Sequence, residues 1–214
     1  MIYTFGNSHS HIFTNSSPGT FGVGENNNKD FMSISLGPTI AYNFYDHHYN
    51  NMLNWIENLK INKDTDYIML IVGEVDCRVH LPKQIEVQNR TIEDVVKECV
   101  DRFFIVYLDL ISKGYKVLGW GGHPSTTAGP SDNPSEPIVG DCLFRNKISL
   151  FWNDYLEGLC LNENIPYISI IKDLIGMDGK TKMEFFMDYC HLDHTKVNQL
   201  IKNKFNEFNI AVYE

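Results

Sequence analysis

The amino-acid sequence predicts an α/β protein, a three-layer α/β/α sandwich around a parallel sheet. Short apolar runs with β-strand character alternate with longer segments whose apolar residues recur at helical spacing. The clearest run, residues 67–72, is continuously apolar and ends at Gly73, as expected of a strand buried on both faces. No internal repeat and no linker interrupts the alternation. We therefore expect one domain over residues 1–214.

The order of the predicted elements favours parallel strands. Five strands are expected, at residues 2–5, 31–36, 67–72, 115–120 and 166–171. With the helices between them they read β-β-α-β-α-β-α-β-α, close to the alternation of parallel α/β sheets. Parallel strands bring their carboxyl ends to one edge of the sheet, so the loops that follow them are the expected place for a functional site.

Four helices are expected from the helical spacing of apolar residues. They cover residues 39–59, 91–113, 143–159 and 195–208. Thr91 and Asp94 form a variant of the capping box at the start of the second helix, and Gly114 follows its last turn. Asp193 is the expected cap of the last helix.

Composition and charge exclude several classes of protein. The chain has 43% hydrophobic and 13% aromatic residues, which is typical of a globular domain and not of a disordered one. Lysine and arginine number 18 against 27 aspartate and glutamate residues, giving a net charge of −9. Without a clustered basic face, nucleic acid is not an expected partner. The glycines at 119–122 fit no nucleotide-binding pattern.

Cysteine usage and the N-terminal sequence predict the compartment. The five cysteines are odd in number and scattered, which favours free thiols over a disulfide framework or a structural zinc module. Residues 1–11 lack the charged and apolar regions of a signal peptide, and residues 67–72 are too short an apolar run to span a bilayer. A soluble, cytoplasmic protein without membrane partners is expected.

Three polar segments stand where the predicted strands end or the last helix begins. They are residues 6–10, 73–78 and 188–191. Ser8 follows the first strand on a tight turn that starts at Gly6. A serine in this position has its hydroxyl beside backbone N–H groups that can hold an oxyanion.

A serine hydroxyl becomes a nucleophile only with a base, which is itself oriented by a third group. His191 and Asp188 supply both from one short segment. His191 would take the proton of Ser8, and Asp188 would hold the imidazole in the required tautomer. The alternative interpretation of Ser8 is a serine that only caps the turn.

The three segments resemble motifs of the SGNH/GDSL hydrolases. Gly6-Asn7-Ser8, Gly73-x-x-Asp76 and Asp188-x-x-His191 are similar to blocks I, III and V of that family, in the same order. The resemblance implies a flavodoxin-like sandwich around a five-stranded parallel sheet. It also implies a serine ester hydrolase that uses a Ser-His-Asp triad and an acyl-enzyme, without a cofactor or metal.

One block is also similar to that of one particular SGNH-like group. The segment Gly-Glu-Val-Asp-Cys-Arg at residues 73–78 resembles the Gly-Glu-Ile-Asp-Cys-Arg block of proteins linked to glycan and cell-surface polysaccharide biosynthesis. This likeness implies an acetyl or short-acyl ester on a carbohydrate. The expected partner is a small-molecule or glycan ester.

The sequence departs from the family at two places, and a third block is matched less closely. Asn7 replaces the usual aspartate of block I, and Gly37 is the best match for the block II glycine that lends its N–H to the oxyanion hole. Val75 replaces the block III asparagine, whose side chain donates to the same oxyanion. Loss of one such donor costs on the order of 10²–10³ in rate. Arg78, with five N–H groups, is the expected replacement or a ligand for a substrate anion.

Other polar residues of these loops have two interpretations. Glu74 and Asp76 either contact substrate or form an ion-pair network with Arg78 that braces the loop. His123 is expected to line the pocket. The polar loops at residues 14–30 and 121–141 are expected to shape it.

Several other functions remain open at this point. Because Val75 removes an oxyanion donor, a non-catalytic SGNH-like binding domain is one of them, and a sugar O-acyltransferase would use the same machinery as a hydrolase. Cys77 or Cys190 as nucleophile lacks an evident base. A metal-dependent phosphoesterase would use a histidine cluster, although the spacing fits no known ligand motif. That cluster would comprise His9, His11, His191 and His194.

Overall fold

The computed structural model, which describes residues 1–133 and 137–212, contains a six-stranded sheet flanked by helices on both faces. The strands are β1 (Ile2–Gly6), β2 (Gly22–Val23), β3 (Phe31–Ser35), β4 (Tyr67–Ile71), β5 (Lys116–Trp120) and β6 (Tyr167–Ile168). Their order across the sheet is β2-β3-β1-β4-β5-β6. The predicted α/β sandwich is therefore confirmed.

The predicted number of strands is one too low. All five expected strands are present and pair in parallel, and β2 is an additional edge strand antiparallel to β3. It has two residues, Gly22 and Val23, inside the loop expected at residues 14–30. Two residues are too few to show the alternation by which strands are recognised.

Seven α-helices lie among the described residues. They are α1 (Phe44–His47), α2 (Tyr49–Asn58), α3 (Leu81–Gln88), α4 (Ile92–Ser112), α5 (Cys142–Asn162), α6 (Ile171–Leu174) and α7 (His194–Glu207). Two of the predicted caps are confirmed. Thr91 Oγ1 accepts from the Asp94 N–H at 3.1 Å, and Asp193 Oδ1 accepts from the Thr195 N–H at 3.0 Å.

The prediction of one helix over residues 39–59 is wrong. The first five of these residues are not helical, and the rest divide into α1 and α2 around His48. The backbone N–H of Ala41 donates instead to the carboxylate of Asp76, at 2.8 Å. A tertiary contact therefore takes the place of a helical hydrogen bond, and the spacing of apolar residues cannot reveal it.

The sheet separates two hydrophobic cores. Along β4, Ile68 and Leu70 belong to one core, and Met69 and Ile71 belong to the other. The first core packs against α4 and α5, and the second packs against α7 and the short 3-10 helix Ser8–Phe13. This alternation explains why the strand is apolar at every position.

Two glycines let the chain turn at the carboxyl edge of the sheet. A Cβ on Gly6 would lie 1.9 Å from the carbonyl oxygen of Ile71, so only glycine permits the approach of β1 to β4. Gly73 has φ +113° and stands against the Trp152 ring, where a Cβ would lie at 2.9 Å. Both glycines begin the loops that carry the candidate site.

Across the described residues, no helix has both the length and the apolar character needed to cross a bilayer.

Candidate active site

Ser8 stands at the first position of a 3-10 helix that follows β1 directly. Asn7 caps this helix, because its side-chain oxygen accepts from the backbone N–H of His9 at 3.1 Å and its carbonyl accepts from the N–H of Ser10 at 3.0 Å. Asn7, which replaces the family aspartate, thus fixes the turn. The Ser8 side chain is half-buried and faces a cavity.

Asp188 and His191 lie on a tight loop closed by an antiparallel bridge between Phe186 and Leu192. One oxygen of Asp188 accepts from the backbone N–H groups of Cys190 and His191, at 2.8 and 2.7 Å. The other oxygen lies 2.7 Å from Nδ1 of His191. The carboxylate is therefore fixed by the loop's own backbone before it orients the imidazole.

The structure brings the three predicted side chains into one hydrogen-bonded chain. Nε2 of His191 lies 2.8 Å from Oγ of Ser8, although the two residues are 183 positions apart. With Nδ1 facing the Asp188 carboxylate, Nε2 is the nitrogen that can accept a proton. We name this arrangement the outer chain.

Electrostatics favour the charge states that proton transfer requires. Burial lowers the pKa of His191 and the nearby His9 lowers it further, while Asp188 opposes both effects. Burial opposes ionisation of Asp188, but hydrogen bonds from the backbone and ring of His191 outweigh it, so the pKa of Asp188 lies below its usual value. At neutral pH the imidazole is neutral and the carboxylate is charged.

A second chain of buried polar side chains lies behind the first. Nε2 of His9 lies 3.1 Å from Oε2 of Glu74, and Nε of Arg78 donates to Oε1 of Glu74 at 2.6 Å. Arg78 also donates to the carbonyl of Pro137 at 2.7 Å. Burial raises the pKa of Glu74, but the contacts with His9 and Arg78 outweigh it and hold the carboxyl ionised. We name His9, Glu74 and Arg78 the inner chain.

The two chains meet through their histidine rings. The ring of His9 lies 4.8 Å from that of His191 and 4.4 Å from that of His123, measured between centroids. His123 is buried, and its Nε2 lies 3.0 Å from the carbonyl of Cys190. Burial, followed by the proximity of His9, lowers the pKa of His123 to about 3, so this ring stays neutral.

Asp76 belongs to neither chain. Its carboxylate is fully buried and accepts from the N–H of Ala41 at 2.8 Å, with the thiol of Cys99 at 3.7 Å. Burial raises the pKa of Asp76 to about 7, although these hydrogen bonds oppose the shift. It braces the segment after β3.

A cavity of about 360 Å³ opens in front of Ser8. The loop at residues 14–30 forms one wall, as predicted, through Asn15 to Pro18, Glu25 and Asn26. Of the described residues in the loop at residues 121–141, His123 lines the cavity. Its residues 134–136 lie outside the described part of the chain. Arg145, which is completely buried, anchors this loop through Ser125 Oγ at 2.9 Å.

Two predicted oxyanion donors have other contacts. The N–H of Gly37 lies 3.5 Å from Oγ of Ser35, and Arg78 directs its side chain to Glu74 and Pro137. Of the predicted site residues, those that line the cavity are Ser8, His123 and His191, and those that do not are Gly37, Glu74, Asp76, Arg78 and Asp188. The sequence interpretation that placed Glu74 and Arg78 in an ion-pair network is the one that agrees with these contacts.

Sequence reasoning placed His9 beside His191 only in the metal-site alternative and missed its contact with Glu74. Among the described residues, His9, Cys190 and His191 are the group whose donor atoms are close enough to hold a metal ion. Sγ of Cys190 lies 3.4 Å from Nδ1 of His191, but this nitrogen directs its proton to Asp188 at 2.7 Å and so does not act as a base for the thiol. Burial, followed by the charges of Glu74 and Asp188, raises the pKa of the thiol to about 12 and keeps it protonated.

The sequence matches no family model, and no curated protein resembles it. Several solved structures, however, resemble this structure. A GDSL-like lipase from Bacteroides thetaiotaomicron superposes with a TM-score of 0.60 at 14% identity, over 94% of this chain and 87% of that one. A carbohydrate acetylesterase from Sinorhizobium meliloti gives 0.55 at 13% identity, over 97% of both chains. A catalytic mutant of an acetylxylan esterase from Geobacillus stearothermophilus gives 0.56 at 10% identity, over 100% of this chain and 96% of that one.

These comparisons establish the fold. The parallel strands β3-β1-β4-β5-β6 follow the flavodoxin-like order, and the likeness extends over nearly the whole chain. The chain therefore has the SGNH/GDSL hydrolase fold.

Proposed function

We propose that this protein is a serine ester hydrolase that works through an acyl-enzyme on Ser8. The observation that carries the proposal is the outer chain, in which Oγ of Ser8 lies 2.8 Å from Nε2 of His191 and Nδ1 lies 2.7 Å from Asp188. Nucleophile, base and orienting carboxylate are within hydrogen-bonding distance of one another, at the wall of a cavity.

In the first half of the reaction, Nε2 of His191 takes the proton of Ser8 while Oγ attacks the ester carbonyl carbon. The tetrahedral intermediate carries the negative charge on the former carbonyl oxygen. When it collapses, the bond to the leaving oxygen breaks and His191 returns the proton to that oxygen. The products are a free alcohol and an ester between the acyl group and Ser8.

In the second half, water takes the place of Ser8. His191 accepts a proton from the water, whose oxygen attacks the acyl carbon, and the returning proton restores the Ser8 hydroxyl. Asp188 holds the imidazole with Nε2 toward Ser8 and stabilises its cation in both halves. The carboxylic acid then leaves, and no cofactor is required.

The oxyanion has one well-placed backbone donor. Asn7 already accepts from the N–H groups of His9 and Ser10, and within the described residues the Ser8 N–H has no acceptor. That amide, at the start of the 3-10 helix, is the donor that we assign to the oxyanion.

We assign positioning roles to the residues behind the site. Arg78 fixes Glu74, which fixes His9, and the His9 and His123 rings limit the movement of His191. Asp76 acts further away, on the segment after β3. This assignment replaces substrate contact by Arg78, because its guanidinium already bonds to Glu74 and Pro137.

The cavity lining favours a small acyl group on a polar alcohol. Trp120, Ile12 and Leu192 offer apolar surface, while Ser17 and Asn26 offer hydrogen-bonding groups from the loop at residues 14–30. We propose an acetyl or short-acyl ester, with a carbohydrate as the alcohol. That two solved structures of this fold are a carbohydrate acetylesterase and an acetylxylan esterase supports this choice.

The test is covalent labelling with a fluorophosphonate probe, together with turnover of p-nitrophenyl acetate. We expect stoichiometric labelling of the wild-type protein, and loss of both labelling and turnover in Ser8→Ala. Ser112→Ala is the control, since Ser112 is an exposed serine at the end of α4 whose hydroxyl donates to the carbonyl of Asp109 at 2.8 Å, away from the cavity. Absence of labelling in the folded wild-type protein would reject the enzyme and favour a binding domain.

A further inference from the structure

We propose that His9, Cys190 and His191 form a binding site for a divalent metal ion of the zinc type, and that the bound ion reversibly blocks the outer chain. One donor atom of each residue lies within 4.8 Å of the other two. The inhibitory part of this proposal rests on the proposed esterase function, whereas the metal site itself does not.

Both histidines are already oriented as metal ligands usually are. A histidine that binds a metal generally donates its other ring N–H to a carboxylate. Nε2 of His9 lies 3.1 Å from Glu74, and Nδ1 of His191 lies 2.7 Å from Asp188. Nδ1 of His9 and Nε2 of His191 are consequently the nitrogens that remain for a metal. Arg78 in turn fixes Glu74, so the supporting group is itself supported.

The third donor is at a suitable distance. Sγ of Cys190 lies 3.9 Å from Nε2 of His191. Tetrahedral zinc with bonds of about 2.3 Å to sulfur and about 2.0–2.1 Å to nitrogen separates such ligands by about 3.6 Å. A small side-chain adjustment therefore closes the site. Oγ of Ser8, next to the same nitrogen, or a water takes the fourth position.

The chemistry of the donors selects the ion. Two imidazole nitrogens and one thiolate suit Zn²⁺ or Co²⁺, whereas Mg²⁺ and Ca²⁺ require oxygen ligands. Binding transfers the Cys190 thiol proton to solvent and forms a metal–thiolate bond, with no change of oxidation state. The cavity lined by Ser8, His9 and His191 gives the ion a route to the site.

Occupancy stops the proposed reaction for a direct reason. The metal occupies the lone pair on Nε2 of His191, which must accept the proton of Ser8. Ester turnover should therefore fall with metal occupancy and return when a chelator removes the ion.

The test is titration of the whole protein with Co²⁺. Binding is monitored through the thiolate-to-cobalt charge-transfer band in the near ultraviolet. We expect one Co²⁺ per chain, displacement by Zn²⁺ and no displacement by Mg²⁺. Cys190→Ala should lose the band, and His9→Asn should weaken Co²⁺ binding at least 10-fold. Cys142→Ser is the matched control, because Cys142 is also a buried free thiol but contacts Thr181 instead of the cluster.

Each outcome decides between the two proposals. Wild-type protein without a thiolate band, or a band that survives in Cys190→Ala, would overturn the metal site. Metal binding with the band but no ester turnover under any condition would leave the site standing and reject the esterase. Ester turnover that Zn²⁺ in excess of the protein does not inhibit would reject the inhibitory role.

Discussion

The outer and inner chains contain the same pair of groups in opposite settings. In each, a histidine faces a carboxylate, at 2.7 Å between His191 and Asp188 and at 3.1 Å between His9 and Glu74. The outer pair ends at the hydroxyl of Ser8 in a cavity. The inner pair ends at the guanidinium of Arg78, a residue whose exposed fraction is 6%.

The difference explains why we propose a catalytic role for the outer pair and not for the inner one. Nε2 of the outer histidine lies beside a hydroxyl that can lose a proton, and among the described residues no lysine or arginine pairs with its carboxylate. In the inner chain Arg78 already neutralises Glu74, and the guanidinium cannot give up a proton at any ordinary pH. The inner chain therefore stabilises the site, whereas the outer chain can carry proton transfer.

The largest expected effect separates the chains by activity. Asp188→Asn removes the carboxylate that sets the tautomer of His191, and we expect kcat to fall on the order of 10⁴ with little change in KM. Steady-state kinetics with p-nitrophenyl acetate measure this. The control is Asp193→Asn, which alters a carboxylate of the same segment that caps α7 and should retain kcat within a few-fold. Equal losses in the two variants would contradict the assignment.

The second prediction separates the chains by stability. Glu74→Gln leaves the buried charge of Arg78 without its partner, which costs about 3–5 kcal/mol of the free energy of unfolding. Unfolding in urea measures this. The double variant Glu74→Gln/Arg78→Met removes both charges and should recover at least half of the loss, since replacing a buried pair by apolar groups is often nearly neutral.

Activity then distinguishes positioning from catalysis in the inner chain. We expect kcat of the folded double variant to remain far closer to wild type than that of Asp188→Asn. A loss of 10³-fold or more in the double variant, with stability restored, would contradict a purely positioning role for Glu74 and Arg78.

The fold was largely predictable because its signals are local. The apolar runs of the five parallel strands and the cap at Thr91 depend on residues close in sequence. The two-residue strand β2 depends on pairing with β3. The non-helical segment around Ala41 depends on a hydrogen bond to the distant Asp76. Strand β2 is too short to show a pattern, and no spacing rule registers such a hydrogen bond.

The candidate site divides in the same way. Ser8, Asp188 and His191 stand in short motifs that suggest their chemistry, and the structure brings these residues together. The inner chain depends on His9 meeting Glu74 across 65 positions, which no local pattern shows. The pair Glu74 and Arg78, four residues apart, was a usable signal for an ion pair in preference to an oxyanion donor.

Asp76 extends the comparison to a buried carboxylate that contacts no cation in the part of the chain that the structure describes. Glu74, two residues earlier, is held ionised by His9 and Arg78, whereas burial without a cationic partner raises the pKa of Asp76 to about 7. The folded pKa of Asp76 lies above its unfolded value. Its protonated form therefore contributes stability that is full below about pH 4 and is lost as the pH rises through about 7.

The smallest effect is expected from Asp76→Asn, which should change the free energy of unfolding least near pH 5. The difference from wild type should grow as the pH rises. Asparagine stays neutral, so the variant should gain on the wild type as the pH rises from 5 to 8, by as much as a few kcal/mol in the free energy of unfolding. Urea unfolding at intervals of one pH unit measures the difference. Asp109→Asn is the control: contact with Lys113 lowers the pKa of Asp109, and its partners do not titrate between pH 5 and 8, so its difference from wild type should be constant over this range. Parallel stability curves for Asp76→Asn and wild type would show that Asp76 is ionised in the folded protein throughout, and that its backbone hydrogen bonds replace the missing cation.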